Sequence, residues 1–417
     1  MKIAIVGAGI SGLTAAWILS RQHEVVLYEA EPRIGGHTHT VTVSRPEGDY
    51  RVDTGFIVFN DRTYPNFIRL LEQLDLQGQP AAMGFSVSSR RTGVEYSGSG
   101  LGGLFAQKRN LLSFSHWQMI ADILRFNRAA PGLLDSDEGE LPLGQYLRKE
   151  GYSERFRSHY ILAMGAAIWS CSETRMENFP ARFFVRFFLN HGLLALRNRP
   201  QWYVVPGGSN TYVDRLLQKM KATVRVGCPV TRVSRSAEGK VNVSTAKDDV
   251  VYDQVIMACH TDQALALLAD ADEREAGLLS AIPYQENEVV LHTDTRLLPE
   301  RQAAWSSWNA LLDKDRDTVR LSYNMNILQS IEAPVTFCVT LNATDAIDPQ
   351  QIIGQWRYAH PVFTPEGVTA RQQLAAINGH RNTWFCGAWC HNGFHEDGVV
   401  SALAVTRGFG MGLEDCN

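Results

Sequence analysis

An α/β fold is predicted from three observations. The β-branched run KIAIV, residues 2–6, has the composition of a buried strand and leads straight into GAGISG. A helical stretch, LTAAWILSRQ, and a second strand, HEVVLYEA, follow within about thirty residues and close on Glu29. At 417 residues the chain exceeds one simple core, so a second domain or a large insertion is expected.

Each glycine of the first unit has a task. Gly7 permits the tight turn, Gly9 lets backbone approach a pyrophosphate, and Gly12 lets the helix close on the strand. Ala8 and Ser11 complete the turn, whose free N–H groups and helix dipole favour phosphate. Glu29 falls where a carboxylate accepts from ribose hydroxyls. A second G-x-G-x-x-G match, at Gly98, Gly100 and Gly103, has no long buried strand before it and no strand-ending acid after it. It reads as a flexible loop, not a nucleotide site.

Bulk numbers narrow the function classes. Hydrophobic residues make up 45% and charged residues 20%, as in an ordinary soluble protein. A net charge of −4 offers no field for nucleic acid, and none is expected as a partner. Seven cysteines without regular spacing fit a reducing compartment. Cys386 and Cys390 lack a second pair of ligands, so they read as structural and no metal site is expected. The apolar start is broken by three glycines, unlike a signal peptide, and no run reaches about 18 apolar residues. A cytoplasmic protein is expected.

After Glu29 comes AEPRIGGHTHT, with Arg33, Gly35, Gly36 and His37. Then VDTGFIVFN (52–60), VRVGCPVTRV (224–233), VIMACH (255–260) and WFCGAWCHNGFHEDGVVSALAV (384–405) follow in order. Together these segments resemble the flavin-containing amine oxidase superfamily. The resemblance implies non-covalent FAD in a glutathione-reductase-type Rossmann-like domain, interrupted by an α+β substrate domain. It places Thr54, Gly55 and Phe56 close to the flavin, Val230 at the adenine and Gly387 near the pyrophosphate. Asp397, Gly398 and Val399 fall near the pyrimidine ring, on a helix expected to start near Gly398. The implied domains are residues 1–75, 205–275 and 375–417 for FAD, and 76–204 and 276–374 for substrate.

Within the substrate regions, SFSHWQMIADILRFNRAAPGLL and SERFRSHYILAMGAAIWS are helical in character, while NEVVLHTDT and PVTFCVTLNA are strand-like. In PARFFVRFFLNHGLLALRNR (180–199), a helical wheel gathers Phe183, Phe184, Phe187 and Phe188 on one arc, with Arg182 and Arg186 opposite. The plain reading is a core helix with a solvated basic face. The sharper one is a helix at the mouth of an apolar tunnel whose arginines touch anionic headgroups, with Phe184 and Phe187 on the substrate.

LHTDTRLLPERQAAWSSWN (291–309), YAHPVF and GFHEDG narrow the resemblance to a bacterial NAD/FAD-binding, amine-oxidase-like family. That family is associated with cyclopropane-fatty-acyl-phospholipid-synthase-like methyltransferases. The association implies a methyl-branched acyl chain or phospholipid as substrate, a lipid methyltransferase as partner, and a peripheral contact with the inner membrane surface. Trp305 and Trp308 become substrate candidates. Three departures from amine oxidases stand out. His37 replaces an arginine, Ala388 replaces an acid, and between 276 and 374 the one lysine is Lys314, in a polar stretch unsuited to a buried site. No catalytic base is assigned; His292, His395 and Glu396 are the candidates by residue type.

The expected activity is therefore an FAD-dependent dehydrogenase or desaturase of a hydrophobic substrate. The alternatives are an amine oxidase that makes hydrogen peroxide, and a flavoprotein that partners a methyltransferase without turnover.

Overall fold

The computed structural model describes residues 1–169, 171–195, 198–313 and 319–416. Its centre is a five-stranded parallel sheet in the order Thr223–Arg225, Glu24–Tyr28, Lys2–Val6, Gln254–Met257, Thr383–Phe385. Strand alternation explains how both faces are covered. Ile3 and Ile5 point into a core shared with the helices Ile10–Leu19, Asn210–Lys219 and His395–Arg407. Ala4 and Val6 point the other way, onto a three-stranded antiparallel sheet of Val230–Arg235, Val241–Thr245 and Asp249–Tyr252. Every residue of the helix Ile10–Leu19 is buried, which accounts for a sequence apolar on all sides.

A seven-stranded mixed sheet builds the other half. Its order is Ile352–Pro361, Tyr284–His292, Cys338–Leu341, Val319–Asn324, Trp308–Leu312, Phe85–Ser89, Val94–Ser97. Neighbours are antiparallel except Trp308–Leu312 against Phe85–Ser89. The helices Phe114–Ala129, Leu143–Lys149, Leu162–Trp169 and Ala181–Asn190 share a core with Val87, Tyr96 and Leu312 of this sheet. The parallel sheet draws its strands from 1–75, 205–275 and 375–417, and the mixed sheet from 76–204 and 276–374. A small sheet of Val58–Asn60, Trp202–Val204 and Gln79–Pro80 ties the two halves together.

Two expectations are corrected. The stretch around Gly98–Gly103 is not a loop throughout, because Gly100–Leu104 is a short helix. Gly103 serves packing there: a Cβ on it would lie 2.3 Å from Ser97 Oγ. The last helix starts at His395, not near Gly398. Asp397 moves the start back, since its carboxylate accepts from Phe394 N at 2.8 Å and Asn392 N at 3.2 Å. Gly398 lies inside the helix, where a Cβ would approach Ile10 Cγ2 to 2.6 Å.

Candidate active site

The chain turn after the first strand opens onto a cavity of about 1910 Å³. Gly7 has φ +105° and donates its N–H to Tyr28 O at 2.8 Å, which fixes the turn. A Cβ on Gly12 would sit 1.9 Å from Gly7 O, so only glycine lets helix and strand meet here. Gly9 differs: a Cβ there would meet no protein atom within 4 Å, and the space beside it belongs to the cavity. The N-terminus of the helix Ile10–Leu19 thus faces open volume of the kind a phosphate fills.

Glu29 is buried and accepts from Ala8 N at 2.9 Å and Glu31 N at 2.9 Å, which braces the turn and aims the carboxylate. Gly35 N donates to Ala8 O, and Gly36 packs on Gly9. The next residue, His37, stands beside this turn with Nε2 buried and without a partner. Desolvation, then His360 and His260 alongside, push its pKa down to about 3. Arg33 donates to Thr38 O at 3.1 Å and lines the same wall.

Thr54, Gly55 and Phe56 are zipped to residues 37–39. Phe56 N donates to His37 O at 2.8 Å and Thr54 N to His39 O at 2.9 Å. Phe56 stacks on His395 with centroids 3.6 Å apart and planes 8° from parallel. His395 Nε2 lies 2.8 Å from the Tyr212 hydroxyl, itself 2.5 Å from Thr38 Oγ1. Burial, then His37, hold the His395 pKa well below its ordinary value, so this ring is neutral at neutral pH.

Of the residues read from sequence as cofactor contacts, Gly7, Ala8, Gly9, Ser11, Glu29, Arg33, Gly35, Gly36, His37, Thr54, Gly55, Phe56, Val230 and Gly387 line the cavity. Gly12, Asp397, Gly398 and Val399 stand one layer behind, shaping the two helix starts. Trp305, Trp308 and Phe187 line it too, and the buried Trp308 Nε1 has no partner.

Three candidates are placed elsewhere. Phe184 is fully buried in the helical core, stacked on Phe188 at 4.0 Å, because it points inward from the arc whose edge carries Phe187. His292 is fully buried in the mixed sheet, with Nε2 bonded to Thr340 Oγ1 at 2.7 Å. Glu396 turns away from the cavity and caps the helix Pro65–Gln73, accepting from Asn66 N, Asn66 Nδ2 and Phe67 N at 3.0, 2.7 and 2.8 Å. His395 alone of the three base candidates is on the cavity wall.

Beyond the wall of glycines the cavity becomes apolar and aromatic. Trp169 and Phe187 lie 4.7 Å apart, Phe187 and Phe394 5.7 Å, with Tyr160, Met164 and Phe363 alongside. Phe394, and the two histidines His260 and His360 that gather beside His37, are absent from the sequence reading of the site; three separate segments supply them, and no spacing rule links those segments. Glu29, Glu31 and Glu286 are the cavity's carboxylates among the described residues. The first two belong to the glycine turn and Glu286 is exposed, 3.9 Å from Arg357. Arg175 and Arg199 line the same cavity and are likewise exposed. No lysine lines the cavity among the described residues, and Lys314 lies outside them. Among the described residues no cluster is placed to hold a metal ion.

Residues 10–407 match the model of the family described as flavin containing amine oxidoreductase. AofH of Mycobacterium tuberculosis, named as a flavin-containing monoamine oxidase, is 25% identical over 327 residues, covering 74% of this chain. The chain spans 66% of that relative's length. Among solved structures, a CLA-producing fatty acid isomerase from P. acnes superposes with a TM-score of 0.68 at 18% identity, covering 98% of each chain. Cyclohexylamine oxidase from Brevibacterium oxydans gives 0.66 at 17% identity, covering 98% of this chain and 99% of its own. At these identities the likeness is one of fold.

Proposed function

The chain belongs to the flavin-containing amine oxidoreductase family, and from that premise we propose that it oxidises an apolar acyl chain with an anionic head. Family membership gives an FAD-dependent oxidoreductase whose cofactor is held without a covalent link. The residues present fit FAD. Gly9 with open space beside it, the buried acid Glu29 and His37 with its unpartnered Nε2 line one cavity. Bound there, FAD supplies a two-electron acceptor for hydride.

The protein's own contribution is alignment and dryness. Trp169, Phe187, Phe363 and Phe394 clasp an extended hydrocarbon and keep water from the reacting carbon. His395, neutral and fixed by Phe56 and Tyr212, is an uncharged wall group beside it. One observation carries the reading: apart from the acids of the glycine turn, the cavity wall among the described residues carries the exposed Arg175 and Arg199 and a single carboxylate, the exposed Glu286, which lies 3.9 Å from Arg357. An ammonium would have to share Glu286 with Arg357, whereas a carboxylate or phosphate head has Arg175 and Arg199. The isomerase of like fold, whose name states a fatty acid substrate, supports an acyl chain on this scaffold.

The proposed product lacks two hydrogens: one carbon would lose hydride to bound FAD, its neighbour would lose a proton to solvent, and the electron pair left behind would form the double bond. The methyl-branched unsaturated acyl phospholipids are the proposed class. Mass spectrometry after incubation of holo-protein with such a lipid tests this. Loss of two hydrogens agrees; a double bond shifted at unchanged mass makes the reaction an isomerisation. An amine substrate is the second reading, favoured by AofH. Aldehyde and ammonia from an amine, with the lipid unchanged, would replace the proposal.

A further inference from the structure

Six of the eleven large apolar side chains exposed among the described residues fall between positions 101 and 124. Leu112 is 93% exposed, Phe114 82% and Leu101 76%, with Leu111, Trp117 and Leu124 about half exposed. The other five, such as Leu189 and Val251, are scattered along the chain. Phe114, Trp117 and Leu124 recur at i, i+3 and i+10 on the helix Phe114–Ala129, so they share one face. The opposite face buries His116, Met119, Asp122 and Phe126. The exposed face sets these three large apolar side chains beside Gln118, Arg125 and Arg128, and apolar tips held out in water are what a free surface does not favour.

The patch is built, not loose. Trp117 Nε1 donates to Leu111 O at 2.9 Å, and His116 Nε2 donates to Leu104 O at 3.0 Å. Gln107 bridges Glu95 N and Gly93 O, holding the Lys108–Leu112 turn under the exposed leucines. Charge adds a direction. No acidic residue occurs from 96 to 121, while Lys108 and Arg109 are exposed and meet no carboxylate among the described residues. Gly98, Ser99 and Gly100, which lead into Leu101, also wall the large cavity. No helix among the described residues is long and apolar enough to cross a membrane.

We propose that Leu101, Leu111, Leu112, Phe114 and Trp117, flanked by Lys108 and Arg109, form a docking surface for an anionic phospholipid bilayer. The apolar tips enter the acyl boundary while the two cations meet headgroup phosphates. On the helix Ala181–Asn190, Arg182 is engaged by Glu140 at 2.8 Å and by Ser136 O, while Arg186 is exposed, so that helix offers fewer apolar tips to a bilayer than residues 101–124 do. The inference extends the acyl-substrate reading, giving the lipid a route that ends on the wall the patch shares with the cavity.

Holo-protein is sedimented with vesicles of phosphatidylcholine alone and of equal parts phosphatidylcholine and phosphatidylglycerol. The wild type is expected to bind the anionic vesicles at least tenfold more strongly, and salt is expected to weaken that preference. Leu112→Glu with Phe114→Glu should lose at least tenfold on both lipids, and Lys108→Glu with Arg109→Glu should abolish the preference for the anionic ones. Leu189→Glu and Val251→Glu should bind as wild type. Retained flavin absorbance shows that each variant folds. Binding unchanged in the Leu112/Phe114 pair, no vesicle binding by the wild type, or a wild-type dimer that the same pair dissociates would overturn the proposal. Detergent-dispersed acyl substrate separates the two readings: flavin reduction intact in a protein that ignores vesicles refutes docking and leaves the substrate reading standing.

Discussion

Glu396→Ala separates a structural carboxylate from a catalytic one. Glu396 accepts three hydrogen bonds, two of them from the backbone of Asn66 and Phe67 in the first turn of the helix Pro65–Gln73. Phe67 is fully buried, so its N–H finds no water when the acceptor is lost, while the Asn66 side chain can rotate outward. Counting the two backbone bonds at about 1.5–3 kcal/mol each, as for charged acceptors, the loss is about 3–6 kcal/mol. For 417 residues unfolding with about 2.1 cal/mol/K each, this lowers Tm by about 3–7 °C. Glu396→Gln keeps one acceptor oxygen and should lose about half as much. Thermal unfolding followed by circular dichroism at one scan rate gives the shift, and single-turnover flavin reduction below the transition should remain within about twofold of wild type. An unchanged Tm with flavin reduction slowed by orders of magnitude would show that the helix-cap assignment is wrong.

Other consequences follow from the same geometry. Gly12→Ala forces a Cβ against Gly7 O, so FAD titration of the apoprotein should show at least about tenfold weaker binding, about 1.4 kcal/mol, and wild-type affinity would refute the tight-turn argument. His159 and His292 are buried, with folded pKa values pushed down to about 4 from 6.5, by desolvation first in each. Both rings are neutral in the fold and protonate more readily when unfolded, so their stabilisation is complete above about pH 6.5 and is lost as pH falls toward 4, about 3 kcal/mol each. Denaturant midpoints should drop across that window and drop less in His292→Gln; a flat profile would contradict it. Phe187→Ala opens the aromatic clasp and should slow acyl-dependent flavin reduction about tenfold at unchanged FAD content, and equal rates would remove Phe187 from the substrate path.

The nucleotide half is the legible half because its signals are local. Gly7, Gly9 and Gly12 lie within six residues, and the strand alternation that covers both sheet faces is written in KIAIV itself. What escapes the sequence depends on long-range placement. A carboxylate that begins one helix and caps another 330 positions away, as Glu396 does, has the same local pattern as a catalytic acid. The wheel groups Phe184 with Phe187 correctly, yet only packing decides which faces the core and which the cavity. The apolar residues of 101–124 fall in stretches that read as a loop and as helical in character, and burial alone shows how many of them stand outside.

The most direct test of the substrate reading is anaerobic mixing of holo-protein with methyl-branched unsaturated phospholipids, their free acids and a panel of amines, followed at the flavin absorbance. Bleaching by the branched acyl compounds, with none by amines, is the predicted result. Bleaching by an amine and not by the lipids would contradict it, and would mean that an ammonium is accommodated beside Glu286 in spite of Arg175 and Arg199.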